Sequence, residues 1–274
     1  MRKLESIFVV IDPVTENQRG LQRAVHIARM TRARIEAYLC IHSTMDTDDP
    51  EVLKQVEMDR YQFWLERLLA PFRDELDITT RLEWDKDWRA ATARAAQQSS
   101  CDIIIKPTHP RPLFKQMFFT TSDRALLENC NSPVLLVSSD KPRGSMKILV
   151  AIDMHRQDNH YHSIMNRAVK FGKGIINNYP GGELHIVNAY ETSEDYVHPT
   201  DITNRTGVEL SRIHIVGGKP EFAIAKIAQE IDASLVIVGT STRNSLMQRL
   251  SSYVADALPN CITHDILVIR PLPA

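Results

Sequence analysis

SIFVVID at residues 6–12 and KILVAID at residues 147–153 are two copies of one signal. Each is an apolar run closed by an aspartate. Each precedes a stretch with apolar residues at helical spacing: Leu21, Ala24, Val25 and Ala28 after the first, Tyr161, Ile164, Met165 and Ala168 after the second. Short strands that are apolar throughout suit a parallel sheet covered by helices on both faces. The chain reads as one α/β unit written twice.

Working outward, the first half predicts strands at 6–12, 35–42, 78–84, 102–107 and 133–138, alternating with helices at 17–32, 50–72, 88–98 and 121–130. The second half predicts strands at 147–153, 183–189, 212–217, 234–239 and 265–270, with helices at 158–173, 220–231 and 252–260. Lys219-Pro220-Glu221 is a helix start, with proline in the first turn and an acid at the positive end of the dipole; Phe222, Ile227, Ala228 and Ile231 form its apolar stripe. The first strands end 153 − 12 = 141 positions apart and the fourth strands 239 − 106 = 133 apart, so the second half has lost chain. The loss falls where Glu191–Glu209 replaces the long helix 50–72; this segment predicts a mobile loop with a short helix near 200–206. A polar break with proline and glycine, Ser139 to Ser145, separates two predicted domains, 1–140 and 146–274. Alternating strands and helices with short connections make each a doubly wound parallel sheet.

The 274 residues carry 33 basic and 34 acidic side chains, a net charge of −1. No global field recruits nucleic acid or an anionic membrane, and neither is an expected partner. No apolar run reaches membrane length. The N-terminus enters a strand at once, which predicts no signal peptide and a cytoplasmic protein. Cys40, Cys101, Cys130 and Cys261 form no CxxC and read as reduced thiols rather than disulfides or a metal site.

In an open parallel sheet, ligands bind outside the carboxyl ends of the strands, where the strand order reverses. Asp12 and Asp153 stand at that edge, as do the turns after the fourth strands, Ile105 to His109 and Val238 to Arg243. A strand ending in aspartate, a strand ending in Val-Gly-Thr and a final strand ILVIRP, in that order, resemble the universal stress protein domain. Two copies in a chain of this size resemble the tandem, E-type bacterial members, and DIIIKPTHPR with FFTTSDRALLENCNSPVLLV fits their N-terminal half. The resemblance covers nearly the whole chain. It implies an adenine nucleotide alpha hydrolase-like fold and a regulatory or ligand-sensing role in stress response.

Nucleotide-binding members of that family wrap ATP phosphates in a G-x-x-G loop followed by a later Gly-Ser or Gly-Thr pair. Glycine there lets backbone N–H groups approach anionic oxygens. The resemblance places Gly239 at the first glycine, after Val238, with Arg243 as the following basic residue. Thr242 stands at the second glycine and Ser252 at the third, with Tyr253 at the hydroxyl position and Val254 next. Asp153 matches the acid that meets ribose or base, and Val187 the strand position beside adenine. In the first half Asp12 matches, but Lys106, His109 and Phe119 replace the three glycines, and Thr120 takes the hydroxyl position. One glycine survives in the second half and none in the first, so ATP or another adenine nucleotide is an expectation for the second domain only.

Each aspartate has a second reading as a cap of the following turn, which Pro13 favours for Asp12. His155, His160, His162, His185, His198 and His214 fall in the second half; His160 and His162, two apart on a helix, share no face, and solvated or hydrogen-bonded histidines are expected ahead of a metal site, which needs three or four converging ligands. Arg29, Arg32 and Arg34 suit a helix C-terminus, and Trp64 suits core packing. No nucleophile elbow, HExxH or Walker lysine motif is visible, and nothing argues for turnover. The rival readings are a weak ATP hydrolase using Asp153, Gly239 and Arg243, and a protein-interaction scaffold with no ligand site. The resemblance further implies that the last strands, Val134–Val137 and Ile266–Ile269, pair with each other in an intramolecular pseudo-dimer, which a homodimer would double.

Overall fold

A computed structural model describes residues 4–43, 48–108, 121–138, 146–155, 159–240 and 264–270, with the side chains of Thr121, Ser122, Asn159 and His160 excepted. The chain divides into two compact units. An N-terminal unit takes the described residues of 4–107 and 121–134; a C-terminal unit takes Thr108, 135–138 and those between 146 and 270.

In the N-terminal unit β1 (Ser6–Val10) lies between β2 (Arg34–Ile41) and β4 (Ile103–Pro107), and β3 (Ile78–Trp84) lies outside β2. All three pairings are parallel. Helix α1 (Arg19–Thr31) buries the stripe read from the sequence, Leu21, Ala24, Val25 and Ala28, and ends at Arg32 in the left-handed conformation with φ 63°. Fully burying a side chain of leucine or valine size contributes roughly 1.5–3 kcal/mol. Arg29, in the last turn, meets the Glu75 carboxylate with two hydrogen bonds of 2.8 Å. Helix α2 (Pro50–Arg73) starts on the Asp49 side chain, which accepts from the Val52 N–H. It buries only Leu65 and Leu69, so Trp64 is half-buried against the edge of Tyr61 rather than in the core. Helices α3 (Trp88–Ser99) and α4 (Thr121–Asn129) complete the unit.

The C-terminal unit repeats the arrangement. Strand β6 (Lys147–Ile152) lies between β7 (Glu183–Tyr190) and β9 (Leu235–Gly239), with β8 (Ile213–Gly217) outside β7 and β10 (Asp265–Ile269) outside β9. These pairings are parallel too. Helix α5 (Asn159–Ile176) packs on β6 and β9 through Ile164, Met165 and Ala168; α7 (Pro220–Glu230) packs on β7 and β6. The β6–α5–β7 and β8–α7–β9 connections run in opposite directions across the sheet, and the right-handed rule assigns such helices to opposite faces. The inward stripe of α7 is Ala223, Ile224, Ile227 and Ala228, whereas Phe222 is 62% exposed. Ile227 and Ala228 face inward as expected; Ala223 and Ile224 take the place given to Phe222, and Ile231 follows the end of the helix.

Strand β5 (Val134–Val137) is the neighbour of β10, as expected of the two final strands. Beyond its end, the Ser138 N–H donates to Asp265 Oδ1 at 3.1 Å and the Ser138 hydroxyl to the His264 carbonyl at 2.6 Å. The end of β5 therefore lies at the start of β10.

The segment between β7 and β8 is anchored rather than loose. It holds a 3₁₀ turn at Ser193–Asp195 and α6 (Pro199–Thr206), close to the helix expected near 200–206. Ile202 and Val208 are buried, and Lys173 donates to the Thr206 carbonyl at 2.6 Å, satisfying the end of α6. The deletion removed a helix and replaced it with a shorter one that still buries apolar surface. The expected helix 252–260 lies outside the described residues.

Candidate ligand site at the carboxyl edge of the strands

In both units the chain runs outward on one side of the first strand and returns on the other. The order reverses between β1 and β4, and between β6 and β9. In open α/β sheets that is the edge at which ligands bind. The two edges are built differently.

At the N-terminal edge the chain satisfies itself. Asp12 Oδ1 accepts the Val14 N–H at 2.9 Å, closing a turn. Buried Gln18 accepts the Asp12 N–H and donates to the carbonyls of Asp12 and Thr15. Lys106, at the position of the first loop glycine, turns its ammonium to Asp123 in the first turn of α4, at 2.8 Å. Both side chains are under 10% exposed. A cation and an anion of the chain itself fill this edge. His109, Phe119 and Thr120 lie outside the described residues.

At the C-terminal edge Asp153 is half-buried. Its N–H donates to the Tyr161 hydroxyl at 2.7 Å, and its Oδ1 accepts the His155 N–H at 3.0 Å. The Met154 N–H donates to Oδ1 of the fully buried Asn188 at 3.0 Å. The turn is thus fastened to β7 and α5, and Asp153 Oδ2 has no protein partner among the described residues. The aspartate caps with one oxygen and leaves the other open. Val187 and Val238 are buried in the strands beneath, and the Thr240 N–H donates to the Ile269 carbonyl at 2.9 Å. Asp153, Val187, Val238 and Gly239 thus lie on or just past three neighbouring strands, towards their carboxyl ends. Thr242, Arg243, Ser252, Tyr253 and Val254 lie outside the described residues.

Gly239 has a packing reason. A Cβ there would stand 2.4 Å from Ile164 Cγ2 on α5, well inside van der Waals contact. The surviving loop glycine is required by the close approach of helix to strand, whatever it does for a ligand. Asn188, Tyr161 and Asp195 are further edge residues that the sequence did not point to. Tyr161 read as one member of an apolar stripe; its ring is buried and its hydroxyl reaches the turn. Asp195, held below the usual carboxylate range chiefly by the Thr192 hydroxyl, brings its carbonyl to the His155 ring and so ties the 3₁₀ turn to the Asp153 turn.

The remaining histidines are dispersed. His162 meets Arg205, and His198 the Thr200 hydroxyl. Among the described residues no three His, Cys, Asp or Glu side chains gather as a metal site, and Cys40, Cys101 and Cys130 are in no disulfide. Burial pushes the Cys101 thiol up to about 12.

His185 and His214 form a pair on adjacent strands, with Nδ1 and Nε2 3.1 Å apart. Glu183 takes the other His185 nitrogen at 3.0 Å, with Lys147 and Arg212 acting on Glu183 and Glu230 on His214. One proton fits between two facing ring nitrogens and a second does not. Burial and the His185 charge hold His214 below the ordinary imidazole value. Between that lowered value and about 6.5 the unfolded chain binds a proton that the folded chain refuses, so stability falls as pH falls through this window. His26, lowered by burial, Arg23 and Arg29, adds to the same slope. His214→Gln is expected to flatten the decline of Tm between about pH 6.5 and 5; an unchanged slope would assign it elsewhere.

The family model described as Universal stress protein family matches residues 3–138 and 202–270. The chain belongs to the universal stress protein family. The gap between the matched segments contains Asp153 and Val187, so this universal stress protein carries its candidate ligand edge partly outside the matched residues. It is 22% identical over 306 residues to Universal stress protein E homolog of Haemophilus influenzae, covering 98% of each chain. It is 22% identical over 302 residues to Universal stress protein E of Escherichia coli K12, covering 99% of this chain and 95% of that one. These full-length matches place it with the tandem, E-type members. Its fold is that of a putative universal stress protein from Pseudomonas aeruginosa UCBPP-PA14, with TM-score 0.79 at 23% identity, covering 98% of this chain and 94% of that one. No helix among the described residues is long and apolar enough to cross a membrane.

Proposed function

We propose that this universal stress protein is a cytoplasmic ligand sensor of the stress response, binding an adenine nucleotide or another small anionic ligand at the carboxyl edge of its C-terminal unit. The N-terminal unit is architectural in this reading. The carrying observation is the contrast between the edges. Lys106 and Asp123 neutralise each other at one. At the other, a half-buried aspartate offers an unpaired oxygen just past the end of β6, between β7, which carries Val187, and β9, which Thr240 follows. A carboxylate oxygen of this kind accepts from a ribose hydroxyl.

Calorimetric titration of the full chain with ATP tests this. Binding without release of phosphate is expected. Asp153→Asn, which keeps the turn's shape and removes the charge, is expected to weaken it about tenfold, while Asp12→Asn leaves it unchanged. Neither heat nor a thermal shift would favour the scaffold reading, and phosphate release abolished by Asp153→Asn would favour the hydrolase.

A further inference from the structure

Arg167 lies on α5 one turn beyond Ile164, the residue in contact with Gly239. Residues three apart on a helix share a face, so the same face that packs on the end of β9 carries Arg167. Its Nη1 donates to the carbonyl of Arg270, the residue that follows β10. The guanidinium therefore sits at the carboxyl ends of β9 and β10, near Thr240, whose N–H bonds the neighbouring Ile269 carbonyl.

Two facts about this side chain call for an explanation. It is half-buried, and burial pushes its pKa below the ordinary arginine value. Yet among the described residues no carboxylate pairs with it; its neighbours are the Arg270 carbonyl and the Phe171 ring, 5.8 Å from its guanidinium carbon. A guanidinium stays charged in a protein, and withdrawing it from water without a counter-charge is costly. A single carbonyl uses one of its five N–H donors. The remaining fork has the geometry that takes two oxygens of a phosphate or carboxylate at once.

We propose that Arg167 is an anion-binding residue of the C-terminal crevice, receiving a phosphate or carboxylate group beside the ends of β9 and β10. The proposal rests on the ligand-site reading above and adds to it a contact that comes from a helix rather than from the strand-end loops. Arg167 is the cation that serves the anionic part of the ligand, and Asp153 serves the part with hydroxyls.

The test titrates the full chain with tripolyphosphate, ATP and adenosine, in the wild type, Arg167→Gln and Arg167→Lys. The expected result is an about tenfold or larger loss of ATP and tripolyphosphate affinity in Arg167→Gln, a partial loss in Arg167→Lys, and unchanged adenosine affinity. Equal loss of ATP and adenosine would reduce Arg167 to a brace for the end of β10 and overturn the proposal. Wild-type ATP affinity in Arg167→Gln would also overturn it while leaving the nucleotide reading intact. Tripolyphosphate binding that depends on Arg167, without any ATP or adenosine binding, would keep the anion site and refute the nucleotide. A wild-type chain that binds none of the three refutes both.

Discussion

Asp123→Ala is expected to destabilise the N-terminal unit by about 3–5 kcal/mol, the loss typical of leaving one member of a buried ion pair without its partner. Lys106 and Asp123 are 2.8 Å apart, with side-chain exposures of 9% and 3%. The ammonium's other contact is the Pro107 carbonyl at 3.3 Å, which cannot replace a carboxylate. Removing Asp123 leaves a cation in a site with little access to water. Removing both charges is different. Two buried ions bear a desolvation penalty that their attraction only partly offsets, so Lys106→Met with Asp123→Leu should be near neutral or stabilising. Urea denaturation followed by a signal from Trp64, Trp84 and Trp88, all in the N-terminal unit, reads the effect. A single substitution costing under about 1 kcal/mol would mean that water reaches the pair and that it behaves as a surface salt bridge.

Gly239→Ala is expected to cost about 1–3 kcal/mol through overpacking, before any question of a ligand arises. The new Cβ would meet Ile164 Cγ2 at 2.4 Å, and Ile164 is fully buried. Helix and strand must separate or Ile164 must leave its rotamer. Ile164→Leu in the same chain removes the β-branch methyl that clashes and should recover much of the loss, whereas Ile164→Val retains that methyl and should not. Chemical denaturation of the four proteins tests this as a double-mutant cycle. Additive costs would show that the clash is relieved elsewhere. The practical lesson is that Gly239 is a poor probe of ligand binding; Asp153→Asn and Arg167→Gln are cleaner.

The strands, their order and the inward faces of α1 and α5 were legible because each follows from local pattern: apolar runs of strand length, then helical spacing. Phe222 shows where pattern stops. It sits beside Ala223 and Ile224 at the first turn of a short helix, where Ile227 and Ala228 alone do not fix which neighbour turns inward, and contact with β7 and β6 decides it. The segment after β7 was read as mobile from its polar composition; Ile202 and the bond from Lys173 to Thr206 hold it, and Lys173 is far from it in sequence. The candidate edge was read from topology and from Asp153. Its supports were not legible, because Asn188, Tyr161 and Arg167 act there through side-chain atoms that no spacing rule announces. Lys106 was read as a missing glycine. That its charge is answered by Asp123, 17 residues on, needed the fold.

The unlike edges have a consequence for how such a chain can change over generations. A protein assembled from two identical copies of one gene product receives every substitution twice. A lysine placed at one edge would appear at both. In a tandem chain the same substitution happens once. The N-terminal copy could exchange its loop glycine for Lys106 and pair it with Asp123 while Gly239 stayed in place against Ile164. Joining the two copies in one reading frame is what lets the two edges carry different residues.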